Sequence, residues 1–307
     1  MKSHKHYYIK DVVALTGIKS HTLRVWEQRY DFIQPRRTDT NIRYYCEEDL
    51  RKLLNITLLY KQGTKLNQLA KMTENEICQC VKKLCADCTQ NDGQLQELYM
   101  GMLQFNEAII KNILNSSFAN HGVTHTMLHL AYPLLNKIGL MWQAGCINSA
   151  HEHFVSNIIV QKLISITDQQ AIAPKSDAIR FILFLPEGEK HDISIHFANH
   201  LLQTRGYKVL FLGGNQPILE LDQVIDTFDP EFVFTSITTA ISGQNLGDLN
   251  ILSNGHKSVK FLLTGSLMIE NGFNLPNNCK ILKNPLEFQN LIDHKLKKQN
   301  IVEKLAV

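Results

Sequence analysis

The chain has 307 residues, 44% of them hydrophobic and 20% charged, with a formal net charge of +3. That length suits two or three domains and that composition a globular protein; no apolar run reaches the ~20 residues of a membrane-spanning helix. The N-terminal MKSHKHYYIKD has no apolar stretch to serve as a secretory signal, so the expected location is cytoplasmic.

The charge is unevenly placed. Residues 1–72 hold 14 Lys+Arg against 7 Asp+Glu, whereas the remainder holds 18 against 22. A basic segment on a mildly acidic body predicts that the first module meets a polyanion.

The first elements read as a helix-turn-helix. Ile9, Val12 and Val13 give one apolar face of a helix that ends at Thr16-Gly17. Ser20 starts a second helix to about Tyr30, with Leu23 and Trp26 facing inward. Its other side carries Lys19, His21, Arg24, Glu27, Gln28 and Arg29, and long basic and amide side chains there suit base edges and phosphates in a major groove. Pro35-Arg36-Arg37 and Arg43-Tyr44-Tyr45 then bracket a turn of Thr, Asp and Asn, the pattern of a β-hairpin that lays arginines along a DNA backbone.

The string TGIKSHTLRVWEQRY…PRR…IRYY resembles the winged-helix head of the MerR family of transcription regulators. The resemblance covers about residues 7–75. It implies binding to a double-stranded DNA operator, with Lys19, Thr22, Arg24, Arg29, Arg36, Arg37, Arg43 and Tyr44 as contacts, and assembly as a homo-oligomer, dimer or tetramer. The family usually has a Gly-aromatic pair before the hairpin arginine; this chain has Asn41-Ile42, which alters the expected turn.

Residues 76–94 read as a linker. They include Cys78, Cys80, Cys85 and Cys88, four of the seven cysteines. The odd total implies reduced thiols. The cluster fits either a zinc or iron–sulfur site or a short helix with Cys78 and Cys85 on a buried stripe. From 95 to 172, apolar residues recur at three- and four-residue spacing, as in a four-helix bundle, and Asn148-Ser149 is a plausible helix cap.

After Pro174 the period changes. Apolar runs at 178–185, 207–212, 231–236 and 259–264, with a weaker one from Lys280 to Leu282, alternate with amphipathic segments. Residues 175–307 are therefore predicted to form a flavodoxin-like, doubly wound parallel sheet of Rossmann-like type. Its binding site should lie at the carboxyl ends of the strands, where His191, Ser236 and Gly265 fall.

Two motifs name a ligand. Glu189-Lys190-His191-Asp192-Ile193-Ser194 resembles the D/E-x-H-x-x-G signature of cobalamin-binding domains, and Trp142 with Glu152-His153 matches the W-x9-E-H pattern of cobalamin-binding MerR-type regulators, the light-responsive repressors of carotenoid synthesis. The resemblance implies cobalamin, most simply adenosylcobalamin, with cobalt held by His191 and the imidazole steadied by Glu189. It assigns Trp142, Glu152 and His153 to the upper face, and Ser194, Ser236, Thr238 and Gly265 to the slot for the cofactor's tail. Departures fall along that slot: Ser194 replaces a glycine, Ser236-Ile237-Thr238 fits S-x-L in part, and Thr264-Gly265-Ser266 keeps one of two glycines. Gln143 stands where light-responsive relatives commonly place a cobalt-capturing histidine. The expectation is a non-enzymatic, cobalamin-sensing repressor whose assembly and operator affinity follow the cofactor. The alternative is a MerR-type regulator whose degenerate sensor serves only protein–protein contact. A corrinoid enzyme would leave the basic head without a role.

Overall fold

The computed structural model describes residues 7–305 apart from 17, 31, 39, 88–92, 144–146, 239–242, 272 and 274. They divide into two compact units, Met1–Ile159 and Val160–Val307.

In the first unit, β1 (Tyr7–Tyr8) leads into α1 (Ile9–Thr16) and α2 (Ser20–Tyr30). The Thr16 hydroxyl donates to the Val12 carbonyl at 2.7 Å and accepts the Ile18 N–H at 3.2 Å, closing one helix and starting the turn to the next. As the periodicity predicts, α2 buries Leu23 and Trp26. Phe32 and Tyr60 meet the Trp26 ring edge-on at 5.8 and 5.9 Å.

β2 (Arg36–Arg37) and β3 (Arg43–Tyr45) form an antiparallel hairpin, and β1 pairs with the other edge of β3. At Asn41, where the resemblance leads to the expectation of glycine, the turn takes φ +63°. Asparagine tolerates this left-handed conformation better than most residues. Its Oδ1 accepts Arg37 Nη1 at 2.7 Å, so the substituted residue also closes the hairpin.

α3 (Glu47–Lys61) starts with a reciprocal cap in which Asp49 accepts the Cys46 N–H at 2.9 Å. It is followed by the short α4 (Leu66–Leu69) and by α5 (Glu74–Asp87). The segment read as linker is therefore largely helical. The cap escaped notice in a polar stretch: Thr73 N–H donates to Glu76 at 2.7 Å and Thr73 Oγ1 accepts the Glu76 N–H at 3.3 Å. Buried Ile77 and Val81 face α3 and α8 (Tyr132–Gln143), whereas Cys78 and Cys80 are only half-buried. The buried stripe thus does not run through Cys78. The Cys85 side chain and Cys88 lie outside the described residues, and among those described no cluster of three or more metal-ligating side chains forms.

Helices α6 (Gly93–Leu103), α7 (Glu107–Thr126), α8 and α9 (Ser149–Gln170) follow, with a π-helical turn at Met127–Ala131 before α8. Leu98, Met102, Ile110, Leu114, Leu134 and Ile138 fill their core. Asn148 Oδ1 accepts the Ala150 N–H at 3.0 Å, as expected of a cap. The division at Ile159 falls inside α9, earlier than the boundary read from composition at 172–175. No described helix is long and apolar enough to cross a membrane.

The second unit holds a parallel five-stranded sheet in the order β5-β4-β6-β7-β8: β4 (Arg180–Pro186), β5 (Lys208–Gln216), β6 (Phe232–Ser236), β7 (Lys260–Thr264) and β8 (Cys279–Ile281). Helices α10 (Ile193–Gln203), α11 (Leu221–Phe228), α12 (Gly243–Gly255), α13 (Ser266–Asn271) and α14 (Pro285–Leu305) follow the strands in turn. Phe181 to Pro186 of β4 and all of β6 are buried, which explains their unbroken apolar runs. Phe181 stacks on Phe232 at 4.8 Å in the core. Strand order reverses at β4, so a crevice opens beyond the carboxyl ends of β4 and β6.

Candidate functional site

β4 ends at that crevice in a tight turn. The Glu189 N–H bonds the Pro186 carbonyl at 3.1 Å and Gly188 takes φ +85°, a conformation that favours glycine. Glu189 is thereby turned inward, and its side chain is wholly buried. Its Oε1 accepts the N–H groups of Lys190 and His191 at 2.9 Å each, and its Oε2 accepts the Thr238 N–H at 2.6 Å. The Thr238 hydroxyl lies 2.9 and 3.0 Å from the two carboxylate oxygens. These donors replace the water lost on burial.

His191 Nδ1 lies 2.7 Å from Glu189 Oε1 and 2.8 Å from Thr238 Oγ1. An acceptor-only carboxylate places the proton on Nδ1, and in that tautomer Nε2 carries the lone pair a metal would take. The imidazole is half-exposed, so it is both fixed and reachable. Thr238 was read from sequence as lining a tail slot. Its hold on a carboxylate 49 residues away arises only because β4 and β6 are neighbours.

Three hydroxyls lie on the elements that border this edge. Ser194 Oγ on α10, and Thr235 Oγ1 and Ser236 Oγ at the end of β6, are buried without a hydrogen-bond partner among the described residues. A buried polar group without a partner is costly, and a ligand with polar atoms would relieve the cost. Gly265 has φ +103°, and a Cβ there would collide with the Ile237 backbone, so the one glycine kept from the family's pair is required by the backbone. Its neighbours are engaged: Thr264 Oγ1 donates to the Leu282 carbonyl at 3.0 Å and Ser266 Oγ to the Thr238 carbonyl at 3.2 Å.

In the first unit, Trp142 is half-buried at the end of α8, with the Arg51 guanidinium 4.9 Å from its ring centre. Sequence reasoning missed Arg51, which has no motif of its own. Glu152 accepts Ser156 Oγ at 2.7 Å and lies 3.1 Å from Nδ1 of the exposed His153. The side chain of Gln143 lies outside the described residues.

The head presents its basic residues outward. Lys19, Arg24 and Arg29 are exposed beside or on α2, Thr22 is partly exposed, and Arg36 and Arg37 are exposed on β2. Arg43 and Tyr44 are half-buried; Arg43 Nε lies 3.7 Å from Glu27, which also accepts the Tyr45 hydroxyl. Burial, with Glu27 beside it, pushes the Tyr45 pKa well above the ordinary range.

Residues 7–76 match the family model described as MerR HTH family regulatory protein, and residues 94–166 the one described as B12 binding domain. The chain is homologous to two repressors of Myxococcus xanthus. With the HTH-type transcriptional repressor CarH it shares 22% identity over 248 residues, 79% of this chain and 82% of the relative. With the HTH-type transcriptional repressor CarA it shares 25% over 238 residues, 76% of each. Among solved structures, the monomethylamine corrinoid protein of Methanosarcina barkeri shares its fold, with a TM-score of 0.50 and 17% identity, covering 64% of this chain and 94% of that one.

Proposed function

We propose that this chain, which joins a MerR-type helix-turn-helix head to a B12-binding domain, is a transcription repressor whose hold on double-stranded operator DNA depends on bound cobalamin. The Glu189–His191 pair at the sheet's switch point carries the reading, because it presents an imidazole nitrogen of fixed tautomer to a metal. The unpartnered hydroxyls of Ser194 and Ser236 fit the polar tail of such a cofactor. In this reading Ser194 adds a hydrogen-bonding group where relatives have glycine.

When bound, adenosylcobalamin supplies a cobalt centre and a cobalt–carbon bond that light can cleave. The chain's own residues do the rest. His191 would hold cobalt through Nε2, with Glu189 and Thr238 holding His191. Gly265 gives the backbone its close approach beside the tail slot, and Trp142, Glu152 and His153 serve the upper ligand. In the head, the hairpin of β2 and β3 acts as the wing, while α2 reads the major groove through Lys19, Thr22, Arg24 and Arg29. Arg36, Arg37, Arg43 and Tyr44 contact phosphates. The cofactor controls DNA binding by differing in affinity between two homo-oligomeric states, dimer and tetramer being the simplest pair. Residue 143 being glutamine, a second imidazole for the cofactor would have to come from another position, His151 and His153 being the nearest in sequence.

The test is a visible spectrum of protein loaded with adenosylcobalamin in darkness, repeated after illumination, beside His191→Ala. Wild type is expected to retain corrin absorbance and the variant to lose it. If wild type retains none, the sensing role fails and a DNA-binding head with a protein-interaction domain is left.

A further inference from the structure

Three histidines outside the set of residues assigned above bring their rings together in a row. His121, His125 and His129 recur every four residues from the end of α7 into the π-helical turn, and all three are exposed. The centroids of His121 and His125 are 4.8 Å apart with ring planes inclined at 39°, and those of His125 and His129 are 4.3 Å apart at 38°. Desolvation, then the neighbouring His129 and His121, lower the His125 pKa below its ordinary value.

We propose that this stripe chelates one divalent transition-metal ion of the zinc type through two imidazoles a helical turn apart, with His125 common to both available pairs. Histidines at i and i+4 on a helix are a recurrent zinc-binding pair. Two nitrogens each ~2.0–2.1 Å from an ion at a tetrahedral angle stand about 3.3 Å apart, a spacing that these neighbouring rings reach by side-chain rotation. Because no three ligating groups converge among the described residues, water completes the coordination. Imidazole selects zinc, nickel or copper over magnesium and calcium, which require oxygen ligands.

The positions give the clip a mechanical role. The His121–His125 pair bridges Gly122, whose φ of +79° and ψ of 170° interrupt the helix, and the His125–His129 pair bridges the passage into the π-helical turn. That turn closes where the Tyr132 N–H reaches the Met127 carbonyl, at the start of α8. A bound ion favours the conformer in which the rings meet and so fixes the start of the helix that carries Trp142.

The test is calorimetric titration of the full-length, cobalamin-free protein with Zn2+, with Mg2+ as the contrasting ion. Wild type and His191→Ala are expected to bind one equivalent that His125→Ala lacks, all seven cysteines being present in each. Equal stoichiometry and affinity in wild type and His125→Ala would overturn the site, as would a matching response to Mg2+. Should His125→Ala lose helical circular dichroism, the His121→Ala/His129→Ala double variant also leaves no pair intact; an undiminished equivalent there overturns the site equally.

Discussion

The Arg51 guanidinium on α3 lies 4.9 Å from the centre of the Trp142 indole on α8, which ties the DNA-facing head to the helix bearing the tryptophan of the W-x9-E-H motif inside one compact unit. Both side chains are half-buried, so the interaction is less screened than an exposed one. Arg51→Met and Trp142→Leu keep apolar bulk while removing the charge or the ring face. In cofactor-free protein, a double-mutant cycle by urea denaturation is expected to give a coupling of about 1 kcal/mol. Strictly additive variants would show that α3 and α8 do not communicate through this contact.

Glu189→Gln tests the carboxylate that fixes His191. Glutamine offers one acceptor oxygen where the carboxylate uses two, and its NH2 would confront donors from His191 and Thr238. The expected loss of stability is about 1–3 kcal/mol, the cost of unmatched polar groups at a buried site. His191→Ala should destabilise far less, because that ring is half-exposed, yet it should abolish dark corrin retention. Urea midpoints and visible absorbance on the same preparations separate the two roles.

How much of this was legible depended on the range of the interaction. α2 came out over residues 20–30 because an inward Leu23-Trp26 pair is a local signal, although Ser20, expected as the cap, is the first helical residue and the Leu23 N–H bonds the Lys19 carbonyl. The strands were legible because burial on both faces leaves uninterrupted apolar runs. The edge bearing Glu189 and His191 followed from the strand-helix alternation. Thr238 as a clamp did not, since its partner is set by sheet order rather than sequence spacing. Helix α5 was hidden by polarity: among its described side chains only Ile77 and Val81 are buried, and its stability comes from packing and the Thr73–Glu76 cap. Asn41 was recognised as a departure, but its capacity to take the left-handed conformation and bond Arg37 emerged only in the folded hairpin.

Acid stability should depend on His200. This residue of α10 is buried, its Nδ1 3.2 Å from Thr167 Oγ1, which itself donates to the Leu163 carbonyl at 2.6 Å. Burial, aided by Arg205, lowers its pKa to about 4. The unfolded chain then binds more protons than the native one below the ordinary histidine pKa of about 6.5. Stability is therefore lost as pH falls from 6.5 towards 4, by up to roughly 3 kcal/mol at 1.36 kcal/mol per unit. His200→Leu leaves the Thr167 hydroxyl its carbonyl partner and should flatten that slope. Urea midpoints at pH 7, 6, 5 and 4 check it; parallel slopes would acquit His200.

Arg36 and Arg43 should weaken DNA binding in distinguishable ways. Arg36 is exposed on β2, so Arg36→Ala should lower the slope of log affinity against log salt by about 1 on two unrelated duplexes alike. Its effect on folding should stay within about 0.5 kcal/mol, as for an ordinary surface change. Arg43→Ala should also flatten the slope, but it leaves Glu27, whose side chain is only 8% exposed, without its cation 3.7 Å away. The Tyr45 hydroxyl still donates to that carboxylate, which moderates the cost. A loss of about 1–3 kcal/mol in folding stability is expected for Arg43→Ala and none of that size for Arg36→Ala. Fluorescence anisotropy across a salt series, read beside thermal unfolding of the free proteins, separates a phosphate contact from a pillar of the hairpin. Equal stability in the two variants would place Arg43 among the simple contacts.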